Sequence, residues 1–97
     1  MTIQHTVVFR LIHAPGSAEE ADFLDSARTT LAAIPGVTDF TVRRQVSPKS
    51  TFTHGFSMVF ADQAAYDAYN AHPRHVDFVQ GQWVPQVAEF QELDFVA

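Results

Sequence analysis

The densest group of chemically capable side chains lies in the segment Tyr69-Asn70-Ala71-His72-Pro73-Arg74-His75. Tyr69 supplies a phenol that can donate a hydrogen bond, and His75 supplies an imidazole that can accept a proton near neutral pH. Pro73 suits the first turn of a helix, so a new helix is predicted to begin there and to bring Tyr69 and His75 together. The positive end of that helix would favour the neutral form of His75. The residue types therefore permit acid–base chemistry, although His75 taken alone also fits a first-turn residue on a solvated helix face.

Two further histidines, His5 and His54, lie in predicted strands. Each shares its face of the strand with apolar residues, while its neighbours in sequence lie on the opposite face. Asp94 has the matching parity on the last predicted strand. Because the first strand is expected between the third and the fourth, His54, His5 and Asp94 are predicted to lie in a row around the same pocket. A carboxylate beside an imidazole fixes its tautomer. Strand parity taken alone also fits histidines that are merely hydrogen-bonded in the core, and Tyr69 taken alone fits a packing residue.

The helices and strands that position these residues are predicted from the periodicity of the apolar residues, which differs between a helix and a strand. Ser17 and Glu20 form a capping box at the start of an amphipathic helix, which ends at Pro35-Gly36. Asp62 and Pro73 begin two shorter helices. The predicted strands cover residues 5–12, 37–46, 52–61 and 89–96. The order βαββααβ is that of an α+β ferredoxin-like fold, a four-stranded antiparallel sheet with its helices on one face.

The other sheet face carries Val8, Ile12 and Val59, and no element of the same chain is left to cover it. Exposed apolar faces of this kind usually mark an interface. Two such sheets packed together would form a barrel, so the pattern predicts a homodimer, a dimeric α/β barrel.

Composition narrows the possible functions. Ninety-seven residues suit a single domain over 1–97, and six basic against eleven acidic residues argue against binding to nucleic acid or to an anionic membrane. The absence of cysteine excludes disulfides, a thiolate nucleophile and a zinc–thiolate site. We find no signal peptide or membrane-spanning stretch, so the expected location is cytoplasmic. A metal bound by His5, His54, His75 and Asp94 is conceivable by ligand type, but a hydrogen-bonded network is the preferred interpretation, and no metal is predicted.

Three runs of the sequence resemble the stress-responsive A/B-barrel (Dabb) family, whose members are dimeric α/β barrels. They are residues 4–9, residues 52–60 and, most specifically, residues 69–78 with their Tyr-x-x-His-Pro-x-His block; the closing Leu93-Asp94-Phe95 also fits. The resemblance covers essentially the whole chain. In a plant polyketide cyclase of this family, which closes a linear polyketide by an aldol step without metal or cofactor, the catalytic residues correspond to Tyr69 and His75. The resemblance further implies that His5, His54 and Asp94 are supporting pocket residues.

The chain departs from that cyclase in the expected wall of its pocket. The first helix keeps an aromatic at Phe23 but has Leu24 and Ala27 where the cyclase has larger residues, and the loop after Phe78 carries Trp83 and Pro85. We therefore expect Phe23, Leu24 and Ala27 to line a pocket for a different small organic ligand, a carbonyl or polyketide-like compound.

Two functional hypotheses follow, and the sequence leaves open whether the protein is an enzyme. One is a cofactor-free cyclase or lyase that uses a histidine base and a tyrosine. The other is a non-catalytic protein that binds a small molecule or is associated with stress. A third, less favoured, is another activity of dimeric α/β barrels, such as a cofactor-free monooxygenase or a haem-handling protein.

Overall fold

The computed structural model describes residues 1–96 and follows the predicted order of elements. The strands begin and end within a few residues of their predicted bounds. The last predicted helix continues, as expected, to Trp83, but residues Val79–Trp83 form a π-helical turn, and a three-residue helix then leads up to the final strand. The elements are β1 Ile3–Leu11, α1 Ala18–Leu31, β2 Thr38–Arg44, β3 His54–Phe60, α2 Gln63–Ala71, α3 Pro73–Phe78, α4 Val84–Gln86 and β4 Val87–Val96.

The four strands form one antiparallel sheet in the order β2-β3-β1-β4, so β1 lies in the middle between β3 and β4. His5 lies opposite Met58 on β3 and opposite Asp94 on β4. Phe9 lies opposite His54 on β3. His5 and His54 therefore occupy the same sheet face but rows four residues apart, or about 13 Å along the strands at the usual rise per residue.

The hydrophobic core lies between the sheet and the helices. Alternate residues of β1 and β3 are buried, as expected for strands that are covered on one face. Helix α1 presents Phe23, Ala27 and Leu31 to this core, which agrees with the amphipathic helix predicted there. The largest side chains that are completely buried are Phe9, Phe23, Ile34, Phe56, Met58 and Phe60.

The start of α1 differs in one detail from the predicted capping box. The Ser17 hydroxyl accepts a hydrogen bond from the Glu20 N–H at 3.2 Å, as predicted. The Glu20 carboxylate, however, accepts from the N–H of Gly16 at 3.1 Å and not from that of Ser17. The Ser17 N–H already donates to the Ala14 carbonyl at 3.1 Å, so the carboxylate binds the neighbouring unpaired donor instead.

The junction between α2 and α3 forms where His72 leaves helical geometry, with a ψ angle of 136°. Its imidazole accepts a hydrogen bond from the Arg74 N–H at 3.1 Å and so caps α3, in which Pro73 is the first residue. The helical stretch that follows ends after Pro85, since the backbone is extended from Val87. The chain therefore turns sharply between Tyr69 and His75.

The sheet face away from the helices is open in the single chain. It carries Val8 and Val59, which are partly buried, together with Leu93 and Phe95 of β4, which are exposed. Ile12, just beyond β1, is 62% exposed. No element within residues 1–96 covers this face, as the sequence indicated.

Candidate functional site

A cavity of about 260 Å³ lies between the sheet and the helical stretch that follows α2. Its polar lining residues are His5, Tyr69, His75 and Glu92. The others are apolar or aromatic: Val7, Leu31, Phe56, Met58, Phe78, Val79, Trp83, Val84 and Phe90. The cavity is therefore mostly apolar, with a few groups that can bond to a ligand or exchange protons with it, as is usual for small-molecule sites.

Tyr69 and His75 come together across the turn at Pro73, as their spacing predicted. Their ring centroids are 4.4 Å apart. The Nδ1 atom of His75 lies 3.1 Å from the carbonyl oxygen of Asn70, which can only accept a hydrogen bond. The neutral ring therefore carries its proton on Nδ1, and Nε2 keeps the lone pair that a base requires.

Burial sets the protonation states of this pair. Burial is the main reason why the pKa of His75 lies below its ordinary 6.5, so the imidazole is neutral at pH 7. The sequence suggested that the helix dipole would have this effect, but desolvation is the main cause. Burial also raises the pKa of Tyr69 far above its ordinary value, with smaller contributions from Tyr66 and Glu92. The phenol therefore keeps its proton and can donate a hydrogen bond or act as an acid.

His5 belongs to a second polar group at the same end of the cavity. Its Nδ1 atom lies 2.6 Å from Oδ1 of Asp94, as the strand parities predicted, and 2.8 Å from the hydroxyl of Tyr66. The Tyr66 hydroxyl also lies 3.1 Å from each carboxylate oxygen of Asp94. Asp94 thus acts on the cavity through His5. Tyr66 was not among the predicted site residues, although its place three residues before Tyr69 puts both on one helix face.

The structure corrects the predicted position of His54. It lies in the row of Phe9, not of His5, and its ring stacks on Phe9 with the centroids 5.9 Å apart. Its Nδ1 atom lies 3.0 Å from the Thr53 hydroxyl, and its Nε2 atom lies 3.9 Å from the Glu20 carboxylate. Its side chain borders a separate polar pocket. Parity correctly gave the face of the sheet, but it carries no information about position along the strand.

The predicted wall from α1 is also placed differently. Phe23 and Ala27 are buried in the core, and Leu24 is partly buried against it. None of the three borders the cavity, to which α1 contributes Leu31 instead. Phe23 packs on the core side of Trp83, a lining residue, with the ring centroids 6.1 Å apart. Trp83 and Phe90 form part of the aromatic lining and contact each other edge to face at 5.6 Å. Glu92 shares the predicted strand parity of Asp94, whereas Phe90 was not expected in the cavity.

Residues 1–96 bring together no group of three or more histidine, aspartate or glutamate side chains that could hold a metal ion. The four ligands considered from sequence are divided between the two ends of the sheet, with His54 apart from the others. Among the helices of these residues, none combines the length and the hydropathy needed to cross a membrane.

The fold and the site together define a small ferredoxin-like domain with a histidine- and tyrosine-containing cavity between sheet and helices. The profile of the stress responsive A/B barrel domain matches residues 3–97. The chain therefore belongs to the stress responsive A/B barrel (Dabb) family. No curated protein matches it.

Three solved structures illustrate the range of its structural relatives. A Dabb family protein with a ferredoxin-like fold from Mesorhizobium loti is 56% identical, with a TM-score of 0.98, and the match covers 99% of this chain and 96% of that one. A dimeric ferredoxin-like protein of unknown function from Thermobifida fusca is 17% identical, with a TM-score of 0.82 and coverage of 100% and 92%. The hydroxynitrile lyase of Passiflora edulis is 14% identical, with a TM-score of 0.85 and coverage of 99% and 93%. The last two show a common fold alone.

Proposed function

We propose that this protein binds a small, uncharged carbonyl compound in the cavity and moves a proton on it without a cofactor, as a cyclase or a lyase does. One observation carries this proposal: a neutral imidazole and a protonated phenol, His75 and Tyr69, lie side by side on the wall of a mostly apolar cavity. A base and a hydrogen-bond donor held together in this way are the two groups that the formation of an enol or enolate requires.

In the proposed step His75 accepts a proton and Tyr69 donates a hydrogen bond. Nε2 of His75 takes a proton from the carbon beside the carbonyl, and the electron pair of that C–H bond moves to form the C=C bond of the enolate. The carbonyl oxygen gains the negative charge, and the Tyr69 hydroxyl donates a hydrogen bond to it. Within residues 1–96, no hydrogen bond to another residue contributes to the pKa of Tyr69, so the phenol is available to a ligand. The imidazolium of His75 then returns its proton to the product.

The lining of the cavity favours an uncharged ligand with an apolar part. Trp83, Phe90 and Phe56 provide aromatic surface. The carboxylate of Glu92 is the one acidic group among the described lining residues, and it would repel an anionic ligand. A volume of about 260 Å³ is below the usual range of roughly 300–1,000 Å³ for drug-sized ligands, which favours a small molecule.

The named activity of one relative is compatible with this chemistry. The Passiflora edulis protein is a hydroxynitrile lyase, and a lyase of this kind also needs a group that moves a proton at the reacting centre. At 14% identity the likeness does not transfer the reaction. The support for proton transfer in this chain comes from His75 and Tyr69 themselves.

We further propose that the protein is a homodimer that pairs through the open sheet face. Leu93 and Phe95 on this face are 43% and 52% exposed in the single chain, beside Val8 and Val59. Large apolar side chains exposed on a sheet face that the same chain leaves uncovered are typical of an interface. The relative from Thermobifida fusca is a dimeric protein. The cytoplasmic location stays a prediction.

The single tryptophan of the chain allows a direct test, since Trp83 lines the cavity. Small ketones, aldehydes and linear polyketide mimics would be screened for quenching of its fluorescence, and each ligand found would then be followed by NMR for proton exchange, ring closure or cleavage. We expect saturable quenching by uncharged carbonyl compounds and turnover of at least one of them. Binding without turnover in the wild type would instead favour the non-catalytic binding protein, and no binding at all would contradict both hypotheses.

A further inference from the structure

His5, Asp94 and Tyr66 form a closed triangle of polar groups. The proposed action of His75 and Tyr69 does not require it. Tyr66, His5 and Asp94 come from α2, β1 and β4, and the oxygen and nitrogen atoms that meet are 2.6 to 3.1 Å apart. Tyr66 lies outside the Tyr-x-x-His-Pro-x-His block, and it does not line the cavity. Its hydroxyl is therefore not placed to touch a ligand, and its hydrogen bonds go to His5 and Asp94.

Hydrogen-bond accounting assigns the protons of this triangle. The Asp94 carboxylate can only accept, so a lone pair on His5 Nδ1 would face an anionic oxygen at 2.6 Å and be repelled. His5 therefore carries its proton on Nδ1 and donates it to Asp94. The Tyr66 hydroxyl donates its own proton to the same carboxylate. This arrangement leaves Nε2 as the unprotonated nitrogen of the neutral His5 ring.

We propose that Tyr66 is a positioning residue, which anchors the Asp94 carboxylate so that His5 keeps its proton on Nδ1 and offers Nε2 to the ligand as a second point of proton exchange. The proposal rests on the proposed function of the cavity, since His5 lines it from the sheet while His75 lines it from the helices. On this assignment Nε2 accepts a proton from a ligand hydroxyl, the carboxylate stabilises the imidazolium, and the proton returns to the ligand as the reaction ends.

Tyr66 is the fixed member of the triangle. The Asp94 side chain is 43% exposed on an edge strand, so its own strand leaves it free to turn towards solvent. Tyr66 is 7% exposed, and its ring stacks on Phe60 with the centroids 5.0 Å apart. Burial and the bond to Asp94 raise the pKa of Tyr66, so the phenol keeps the proton with which it holds the carboxylate.

The proposal is tested by observing the His5 ring directly. Long-range ¹H–¹⁵N correlation spectra, recorded where the rings are neutral, distinguish the two tautomers of each histidine. We expect wild-type His5 to be the Nδ1–H tautomer. In Tyr66→Phe, which keeps the stacked ring and removes the hydroxyl, the ratio of Nε2–H to Nδ1–H tautomers should rise about two- to tenfold, the effect of losing one hydrogen bond. Tyr69→Phe, the matched deletion of a buried hydroxyl on the same helix, should leave the ratio unchanged.

Two results would overturn the proposal: a wild-type His5 protonated on Nε2, or a folded Tyr66→Phe protein whose tautomer ratio equals that of the wild type. If Tyr66→Phe does not fold, slow exchange of the Tyr66 hydroxyl proton in the wild type, seen as a deuterium isotope shift on the ring carbon, supports the proposal, and fast exchange contradicts it. No substrate is needed, so a failure of turnover at His75 and a failure of this inference are separate results.

Discussion

The rings of Tyr69 and His75 lie 4.4 Å apart, centroid to centroid, although they belong to different helices. The turn at His72-Pro73 makes this possible, because His72 leaves helical geometry and α3 then starts in a new direction. The same turn lets His75 donate from Nδ1 to the Asn70 carbonyl near the end of α2. The tautomer that a base needs is thus fixed by the backbone of the preceding helix.

The first prediction concerns the catalytic pair. His75→Ala should lower turnover of any substrate found by about 10²–10⁴-fold, the usual loss when general acid–base help is removed. Tyr69→Phe should lower it by a comparable or smaller factor, because the ring remains while the donor is lost. His13→Ala is the matched control, since His13 bonds to Gln86 outside the cavity. Single-turnover rates measure the effect, and full activity in both site variants would place the chemistry elsewhere.

The second prediction is the direction of the pH dependence. Burial lowers the pKa of His75 below 6.5, so the base remains neutral and active somewhat below that pH and is lost as the pH falls through the lowered value. We therefore expect the acid limb of the pH–rate profile to have its midpoint below 6.5. An NMR titration of the His75 ring should give the same midpoint. A titration at or above 6.5 would contradict the burial of this imidazole in solution.

Part of this site could be predicted from the sequence. The turn at Pro73 is a local signal, and together with the resemblance of residues 69–78 to the Dabb family it predicted the convergence of Tyr69 and His75. The pairing of His5 with Asp94 followed from strand parity and strand order. His54 was misplaced because its row depends on the register between β1 and β3, which alternation does not encode. Glu92 and Phe90 have the same strand parity as Asp94, so their side of the sheet was predictable, but which residues of that side line the cavity depends on how the helical stretch after Phe78 packs over β4.

The third prediction concerns ligand charge. Glu92→Gln should improve the binding of carboxylate-bearing ligands by roughly one and a half- to fivefold, the range expected from one exposed charge pair, and should hardly affect uncharged ones. Glu89→Gln removes the same charge from the same strand, but on the open face, where Glu89 pairs with Arg10. That control should leave the preference unchanged. Quenching of Trp83 fluorescence measures ligand binding in both variants. Equal effects in the two would mean that net charge, not the cavity wall, decides selectivity.

The fourth prediction concerns assembly. Leu93 lies on the open sheet face opposite Thr6, and it is 43% exposed in the single chain. Leu93→Lys would place a charge inside the proposed interface, where an unpaired ion is costly to desolvate, and should shift the protein from dimer to monomer. Val46→Lys, a change of similar kind at a site that is 80% exposed beyond the end of β2, should leave the dimer intact. Sedimentation velocity at micromolar concentration separates the two species. A wild type that sediments as a monomer, or a Leu93→Lys protein that remains a dimer, would show that the open face is not the interface.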